Sequence, residues 1–277
     1  MSITLSPPIS PFPVIPPLGK TPYVHDDRSL LFEQYTTGLQ APPTDVDWGA
    51  KVRNWPVFLN DKIGDCTIAA IAHMIEGWSA NAGIELPVTW QECLAAYSAI
   101  SGYNPTTGQN DNGAAILQVL QYFQSIGLAH TKIKAYAEIN IQDTTSMRQA
   151  IDLLGAVDIG LQLPIACQSM GTTWTIPPEL TGAWAPGSWG GHSICLLGFT
   201  PAIWIGISWG EVITIDAAFL AAYMDEAWAA FSTAWLEKDG LAPSGFNTVK
   251  LLADLALLAQ AKSVRRPVVS RGLKTGC

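Results

Sequence analysis

The sequence predicts an α+β fold, a helical lobe packed on an antiparallel sheet lobe. Residues 65–155 carry four segments in which apolar residues recur at helical spacing. Residues 157–215 carry short apolar or alternating runs of strand character. The two kinds of segment are segregated along the chain, which is the pattern of a two-lobed α+β domain with a cleft between the lobes.

The first helix follows a glycine-containing turn, NDKIGD at 60–65. Beyond it Ile68, Ala69, Ala72 and Ile75, with Trp78 or Ala80, recur near a 3.6-residue period, so Cys66 stands at a helix N-terminus. A second helix is expected over 89–100 and, after a polar loop at 102–113, a third over 114–126 with Ile116, Leu117, Leu120 and Phe123 on one face. The fourth covers 145–154. Strands are expected at 157–163, 194–199, 203–207 and 212–215. The stretch between 164 and 191 is a long loop rich in Gly, Pro and Trp, a length often tied to function. Asp216 is expected to cap a helix through about 234, and 248–262 forms a last amphipathic helix.

Three segments result. Residues 1–40 form an N-terminal arm, with seven prolines in its first 22 residues and a short helix capped by Asp27 or Ser29 ahead of Leu30, Leu31, Phe32 and Tyr35. The arm is expected to lie on the domain without joining its core. Residues 41–245 form the domain, and 246–277 a C-terminal helix with a basic tail (Lys262, Arg265, Arg266, Arg271, Lys274).

Composition excludes several classes. In 277 residues, 48% are hydrophobic and only 14% charged, enough apolar material for a substantial core. A net charge of −8 speaks against nucleic-acid binding, which needs clustered Lys and Arg. No apolar run reaches the roughly 20 residues of a membrane span; 251–261 is interrupted by Asp254 and Gln260. The first 20 residues lack the basic start and unbroken apolar stretch of a secretory signal, so a cytoplasmic location is expected. The five cysteines, Cys66, Cys93, Cys167, Cys195 and Cys277, are widely spaced, with no CxxC or Cys/His ligand spacing. No metal or other cofactor is therefore expected, and Cys93 and Cys195 read as buried small hydrophobes.

Cys66 is the chemically suggestive residue. A helix N-terminus carries about half a positive charge and favours a thiolate. Gly64, in the Gly64–Asp65 turn before it, permits close approach of a substrate backbone. An imidazole beside the thiol completes the activation. Of four histidines, His73 lies on the same helix about 10 Å away, at 1.5 Å per residue, too far for a hydrogen bond. His25 lies in the arm and His130 in a polar loop. His192 follows Trp189, Gly190 and Gly191 and precedes a buried strand, and the glycines let the chain turn and leave the ring open. The amide of Cys66 and the side chain of Asn60 are candidate oxyanion donors. Trp174, Trp184 and Trp189 either line a cleft or pack the long loop.

These segments, in order, resemble the papain-like cysteine peptidases. PPTDVDW at 42–48 is similar to the leading strand of that domain. NDKIGDCTIAA resembles the segment from the oxyanion-hole glutamine to the nucleophile, with Asn60 in the glutamine's place. NDNGAAILQVLQYFQSIGLA, MRQAIDLLGAVDIGLQL, GGHSICLLGF and ISWG resemble the glycine turn and helix, the lobe crossing, the histidine strand and the family's Asn-Ser-Trp-Gly. The sequence also resembles a set of bacterial and phage proteins with NDxIGDCT, GGH and Thr/Ser-Trp-Gly followed by a helix, here containing YMDEAW at 223–228, which adds a virion-associated location to the expectations. The resemblance implies a cysteine hydrolase acting on amide bonds of a peptide or protein, with Cys66 as nucleophile, His192 as base and Trp209 shielding His192. Four departures stand out. Ile207 occupies the place of the orienting asparagine, leaving Ser208 or Asp216 as substitutes. Asn60 is shorter than glutamine. Thr67 replaces an aromatic residue, and the family's lobe disulfide has no cysteines here. The alternative is a papain-like protein of weak or no activity with a binding or structural role.

Overall fold

The computed structural model describes residues 14–27, 29–36, 40–83 and 86–232, together with Trp235 and Ala253. The elements run β1 (Leu30–Leu31), α1 (Glu33–Thr36), β2 (Val46–Asp47), α2 (Cys66–Asn81), α3 (Trp90–Ser101), α4 (Ile116–Ser125), β3 (Ile133–Glu138), α5 (Thr144–Leu154), β4 (Val157–Leu163), β5 (Thr173–Trp174), β6 (Gly190–Phe199), β7 (Ile203–Ser208), β8 (Glu211–Asp216), α6 (Ala217–Tyr223) and β9 (Met224–Ser232). One sheet holds the strands in the order β1-β3-β9-β4-β6-β7-β8-β5, with β2 also on β6. Its long pairings are antiparallel; the short pairs β1–β3 and β5–β8 are parallel.

The helix boundaries have local causes. Thr89 and Glu92 form a reciprocal capping box at the start of α3, and Gly102 ends it in the left-handed conformation. Asp143 caps α5 by accepting from the amides of Thr145 and Ser146. α2 is the buried helix of the molecule, and the strand β6 lies against it. Alternation along β6 divides the interior. Cys195 and Leu197 join the core beneath α2, α3 and α4, while Ile194 and Leu196 join the core on the other side of the sheet with β4, α5 and α6. A side chain at Gly77 would stand 2.4 Å from Leu197 Cδ2, so α2 lies this close to β6 because residue 77 has none.

The segregated helices and strands agree with the α+β expectation, with three corrections. The helix expected from 216 to about 234 stops at Tyr223, and Met224–Ser232 is a strand paired on both edges, with β3 and β4. Its run of alanines with Trp228 and Phe231 reads as helical in sequence, but a strand buried on both faces carries the same unbroken apolar pattern. The YMDEAW segment therefore lies mostly in a strand. The strand Ile133–Glu138 was not foreseen. The short helix near 28–36 is confined to Glu33–Thr36 and follows β1, so Asp27 and Ser29 do not cap it. Residues 248–262, apart from Ala253, and the basic tail with Cys277 lie outside the described residues. Among the described residues no helix is long and apolar enough to cross a membrane.

Trp78 ties α2 to the end of α5: its ring is fully buried and Nε1 donates to the Leu154 carbonyl at 2.6 Å. Trp78→Ala is expected to cost about 3–5 kcal/mol through cavity formation. Trp78→Phe keeps most of the apolar area and is expected to cost about 1–3 kcal/mol, the penalty of a buried carbonyl left unpaired. Chemical denaturation of the two variants measures both.

Candidate active site

The first amides of any α-helix have no partner within the helix. At α2 that end is Cys66, and the N-cap Asp65 makes no side-chain capping bond. Asp65 is fully buried and neither carboxyl oxygen has a hydrogen-bond partner. Burial pushes its pKa well above the usual carboxylate range, the Asn60 side chain working in the opposite direction. No hydrogen bond of good geometry joins the two, and Asn60 Nδ2 remains a buried donor without an acceptor. Gly64 is held by a bond from its amide to Asp111 Oδ1 at 2.9 Å. Asp111 also accepts from Tyr97 Oη, and Tyr97 Oη accepts from the Gly113 amide at 3.0 Å. This network fixes both backbone segments that flank the thiol on the helical side.

On the sheet side, register in β6 sets the partner. His192 lies opposite Leu161 of β4, and Ser193 opposite Gly160. The Ser193 amide faces the Cys66 thiol, so the thiol sits beside the His192–Ser193 peptide. His192 is fully buried. Its Nε2 lies 2.9 Å from Ser208 Oγ, and its Nδ1 has no hydrogen-bond partner. The tautomer decides which of Nε2 and the hydroxyl donates. Trp209 stacks flat on the imidazole, with ring centroids 4.4 Å apart and planes 15° apart, and Trp189 stacks on Trp209 at 5.5 Å. Trp209 adopts a φ of 49°, a left-handed turn that follows Ser208 at the end of β7.

The structure thus brings Cys66, His192 and Ser208 together, with Asn60, Gly64, Asp65, Gly191, Trp209 and Trp189 around them. It does not bring Asp216 to His192. Both Asp216 oxygens are committed elsewhere, to the amides of Phe219 at the start of α6 and of Ile176. Ile207 points into the core beneath α2, and strand alternation turns the next residue, Ser208, to the imidazole. His73 is a core residue whose Nε2 donates to the Pro56 carbonyl at 2.8 Å, with burial drawing its pKa down to about 4. Trp174 is buried and packs the loop side of this wall against Trp209 and Phe219. Among the described residues no group of His, Cys, Asp and Glu is arranged to hold a metal ion.

The described part of the arm lies in the cleft rather than on the outer face of the domain. Residues 14–21 thread the cleft. Val14, Ile15 and Pro17 line a cavity of about 1000 Å³ with Ser208 and Trp209. Gly19 then crosses Cys66: its amide faces the thiol, and its carbonyl accepts from the Ala114 amide at 2.8 Å. The Lys20 amide donates to the Gly191 carbonyl at 3.1 Å, and the Thr21 amide to the Ala114 carbonyl at 3.1 Å. A Cβ on Gly19 would stand 1.7 Å from the Gly64 carbonyl oxygen, and one on Gly113, where φ is +73°, would stand 1.9 Å from the Gly19 oxygen. Only glycine fits at either point.

Covering has an electrostatic effect. With both groups fully buried, burial pushes the Cys66 thiol up to about 12, against the pull of the Ser193 and Gly19 amides, and draws the His192 imidazole down to about 3. In this closed arrangement thiol and imidazole are both neutral.

No protein-family model matches this sequence, and no curated protein matches it. Solved structures do match in shape. Xylellain, a cysteine protease from Xylella fastidiosa, superposes with a TM-score of 0.60 at 14% identity, over 78% of this chain and 96% of that one. Digestive procathepsin L 3 of Tenebrio molitor larval midgut matches at 0.53 and 12% identity, over 78% and 75%. Bromelain from Ananas comosus, in complex with the E64 inhibitor, matches at 0.50 and 14% identity, over 68% and 99%. The chain has the papain-like fold that the resemblance implied.

If the arm shields the thiol, Cys66 in the full chain is expected to react slowly with iodoacetamide at neutral pH. Gly19→Ala, which cannot seat against Gly64, is expected to raise that rate at least about tenfold, the usual gain when a thiol regains water and thiolate character. Mass spectrometry of the labelled peptides checks it, with the buried Cys93 and Cys195 as internal controls.

Proposed function

We propose that the protein is a cysteine hydrolase of the peptidase type, cleaving amide bonds of a peptide or protein, and that its sequence pattern groups it with bacterial and phage proteins. The observation that carries the reading is the placement of a thiol at the start of a buried helix, facing the Ser193 amide, next to the strand position of His192, whose imidazole is stacked by Trp209 and bonded to Ser208, at one point of the cleft. Asn60, whose Nδ2 has no acceptor, is buried beside the cap of that helix. An extended peptide, the protein's own arm, already lies across that point.

In the proposed cycle the arm withdraws and water returns to the site. His192 takes the Cys66 proton, and the thiolate attacks the substrate carbonyl carbon. The Cys66 amide and Asn60 Nδ2 hold the oxyanion. His192 returns the proton to the leaving amine as the C–N bond breaks, leaving a thioester. Water then gives a proton to His192 and attacks the thioester carbon, the C–S bond breaks, and the acid and the free thiol are released. Ser208 holds the imidazole by a hydroxyl where the resemblance implies an amide.

A second reading, a binding protein that retains the fold with little or no turnover, is favoured by one observation. The thiol and the imidazole share no hydrogen bond in the closed arrangement, and Nδ1 has no partner.

Hydrolysis of unstructured peptides by the Gly19→Ala chain separates the two. For an enzyme, Cys66→Ser and His192→Ala in that background abolish turnover, and Asn60→Ala lowers kcat by roughly 10²–10³, the effect of losing one oxyanion donor. Ser208→Ala lowers kcat and displaces its acid-side pH limb, because His192 loses its partner. Labelling of Cys66 without cleavage of any peptide assigns the protein to the binding reading.

A further inference from the structure

The cleft holds a side chain as well as a backbone. Lys20 Nζ is fully buried, 2.9 Å from Asp225 Oδ2 and 2.8 Å from Glu226 Oε1. The space it fills is made by glycine. A Cβ on Gly160 of β4 would stand 2.1 Å from Lys20 Cε, 2.6 Å from Glu226 Cγ and 2.7 Å from Asp225 Oδ1. Gly191 serves the backbone in the same way, since a Cβ there would stand 2.2 Å from the Lys20 carbonyl oxygen.

The acids around this space are held in place by other side chains. Gln162 Nε2 donates to Asp225 Oδ2 at 2.6 Å, Trp228 Nε1 to Glu226 Oε2 at 2.7 Å, and Ser193 Oγ to Asp158 Oδ1 at 2.7 Å. Asp158 is completely buried, and burial raises its pKa well above the usual carboxylate range, with the Ser193 hydroxyl and the Lys20 charge pulling the other way; its Oδ2 has no hydrogen-bond partner. Carboxylates fixed this way out of water are costly unless a cation enters among them. They are also set before any ligand arrives, as a selective site requires. Ser193, which holds Asp158, presents its amide to the Cys66 thiol, so the acids and the thiol share one wall of the cleft.

We propose that Asp158, Asp225 and Glu226 form a selectivity pocket beside Cys66 that accepts a lysine or arginine side chain of a bound peptide, and that Lys20 of the arm fills it in the closed state. The proposal rests on the reading of the cleft as a peptide site and goes beyond it in naming the chemistry recognised. Lys20 is held on the arm by main-chain bonds to Gly191 and, through its neighbours, to Ala114, bonds that any extended peptide can make. What distinguishes one peptide from another at this point is the side chain meeting the acids. The unpartnered Asp158 oxygen leaves room in hydrogen bonding for the additional donors of a guanidinium.

The test uses the full chain carrying Gly19→Ala and Lys20→Ala, which cannot seat its own arm and offers no competing cation. A fluorescently labelled octapeptide with the sequence of residues 14–21 is titrated by anisotropy, alongside versions with Leu or Glu in place of the lysine. The lysine peptide is expected to bind roughly a hundredfold more tightly than the leucine peptide, the scale of the penalty for a buried polar group left without its partner. Adding Asp225→Asn and Glu226→Gln is expected to bring the ratio below about tenfold, since the charge it reads is gone. Equal binding of lysine and leucine peptides, or a preference unchanged by the pocket substitutions, overturns the proposal. Should the double variant fail to fold, Lys20→Arg and Lys20→Leu in the otherwise native chain decide it. Arginine keeps Cys66 slow to label while leucine speeds it at least about tenfold, and equal rates overturn the pocket. Binding needs no turnover, so the two readings fail separately. Selective binding without hydrolysis removes the enzyme and keeps the pocket, and hydrolysis indifferent to a basic side chain removes the pocket alone.

Discussion

The approach of α2 to β6 is the constraint on which the rest of the protein depends. The helix carries Cys66 at its first residue and the strand carries His192 near its start, so their separation is set by helix-on-sheet packing rather than by any bond between them. Gly77 permits the contact, Leu197 fills it, and Trp78 locks the far end of the helix to α5. Because packed interiors tolerate little displacement, a change of a methylene or two in this layer is transmitted to the thiol. The same layer explains why the helix is so apolar. Charged groups along it would meet a sheet rather than water.

Charge at the site is controlled chiefly by access to water. Asp65, Cys66 and His192 are all driven toward their neutral forms by burial. For Asp65 this is a permanent condition of the helix cap. For the thiol it depends on the arm, because Gly19 is the group that crosses Cys66, while the imidazole lies under Trp209. In the acidic pocket burial also raises Glu226 and Asp158, but at Lys20 the ion pairs oppose it. Burial works against the Lys20 ammonium, yet Glu226 and Asp225 outweigh it and hold its pKa above the ordinary value. One segment thus suppresses charge at one point of the cleft and supplies it at the next.

Much of the frame was legible in the sequence because it follows from local periodicity. The helix starting at Cys66, the capped α5 and the strand that carries His192 are written in patterns a few residues long. What escaped depends on packing between distant segments. Met224–Ser232 reads as a helix until β3 and β4 are found on either side of it. Ser208 as the partner of His192 stood as one of two candidates, and only the phase of β7 separates it from Ile207 and from the capping Asp216. The pocket was missed altogether, although a signal was present. Asp225 and Glu226 interrupt an otherwise apolar run, and an acidic pair in a buried strand calls for a cation. Lys20 is the one Asp, Glu, Lys or Arg side chain in the proline-rich first 22 residues. Their pairing spans almost the whole chain, and no local pattern reports it.

The arm is covalently part of the protein whose cleft it fills, and that changes what concentration means here. A tethered segment presents itself to its site at an effective concentration of about millimolar for a short flexible connection, whatever the amount of protein present. Dilution does not loosen it, and a free peptide of equal intrinsic affinity gains half the sites only when it reaches that same level. Occupancy by an outside ligand is therefore governed by a fixed internal competitor. The cleft will answer to ligands that are abundant, that bind much more tightly than residues 14–21, or that first engage the arm itself.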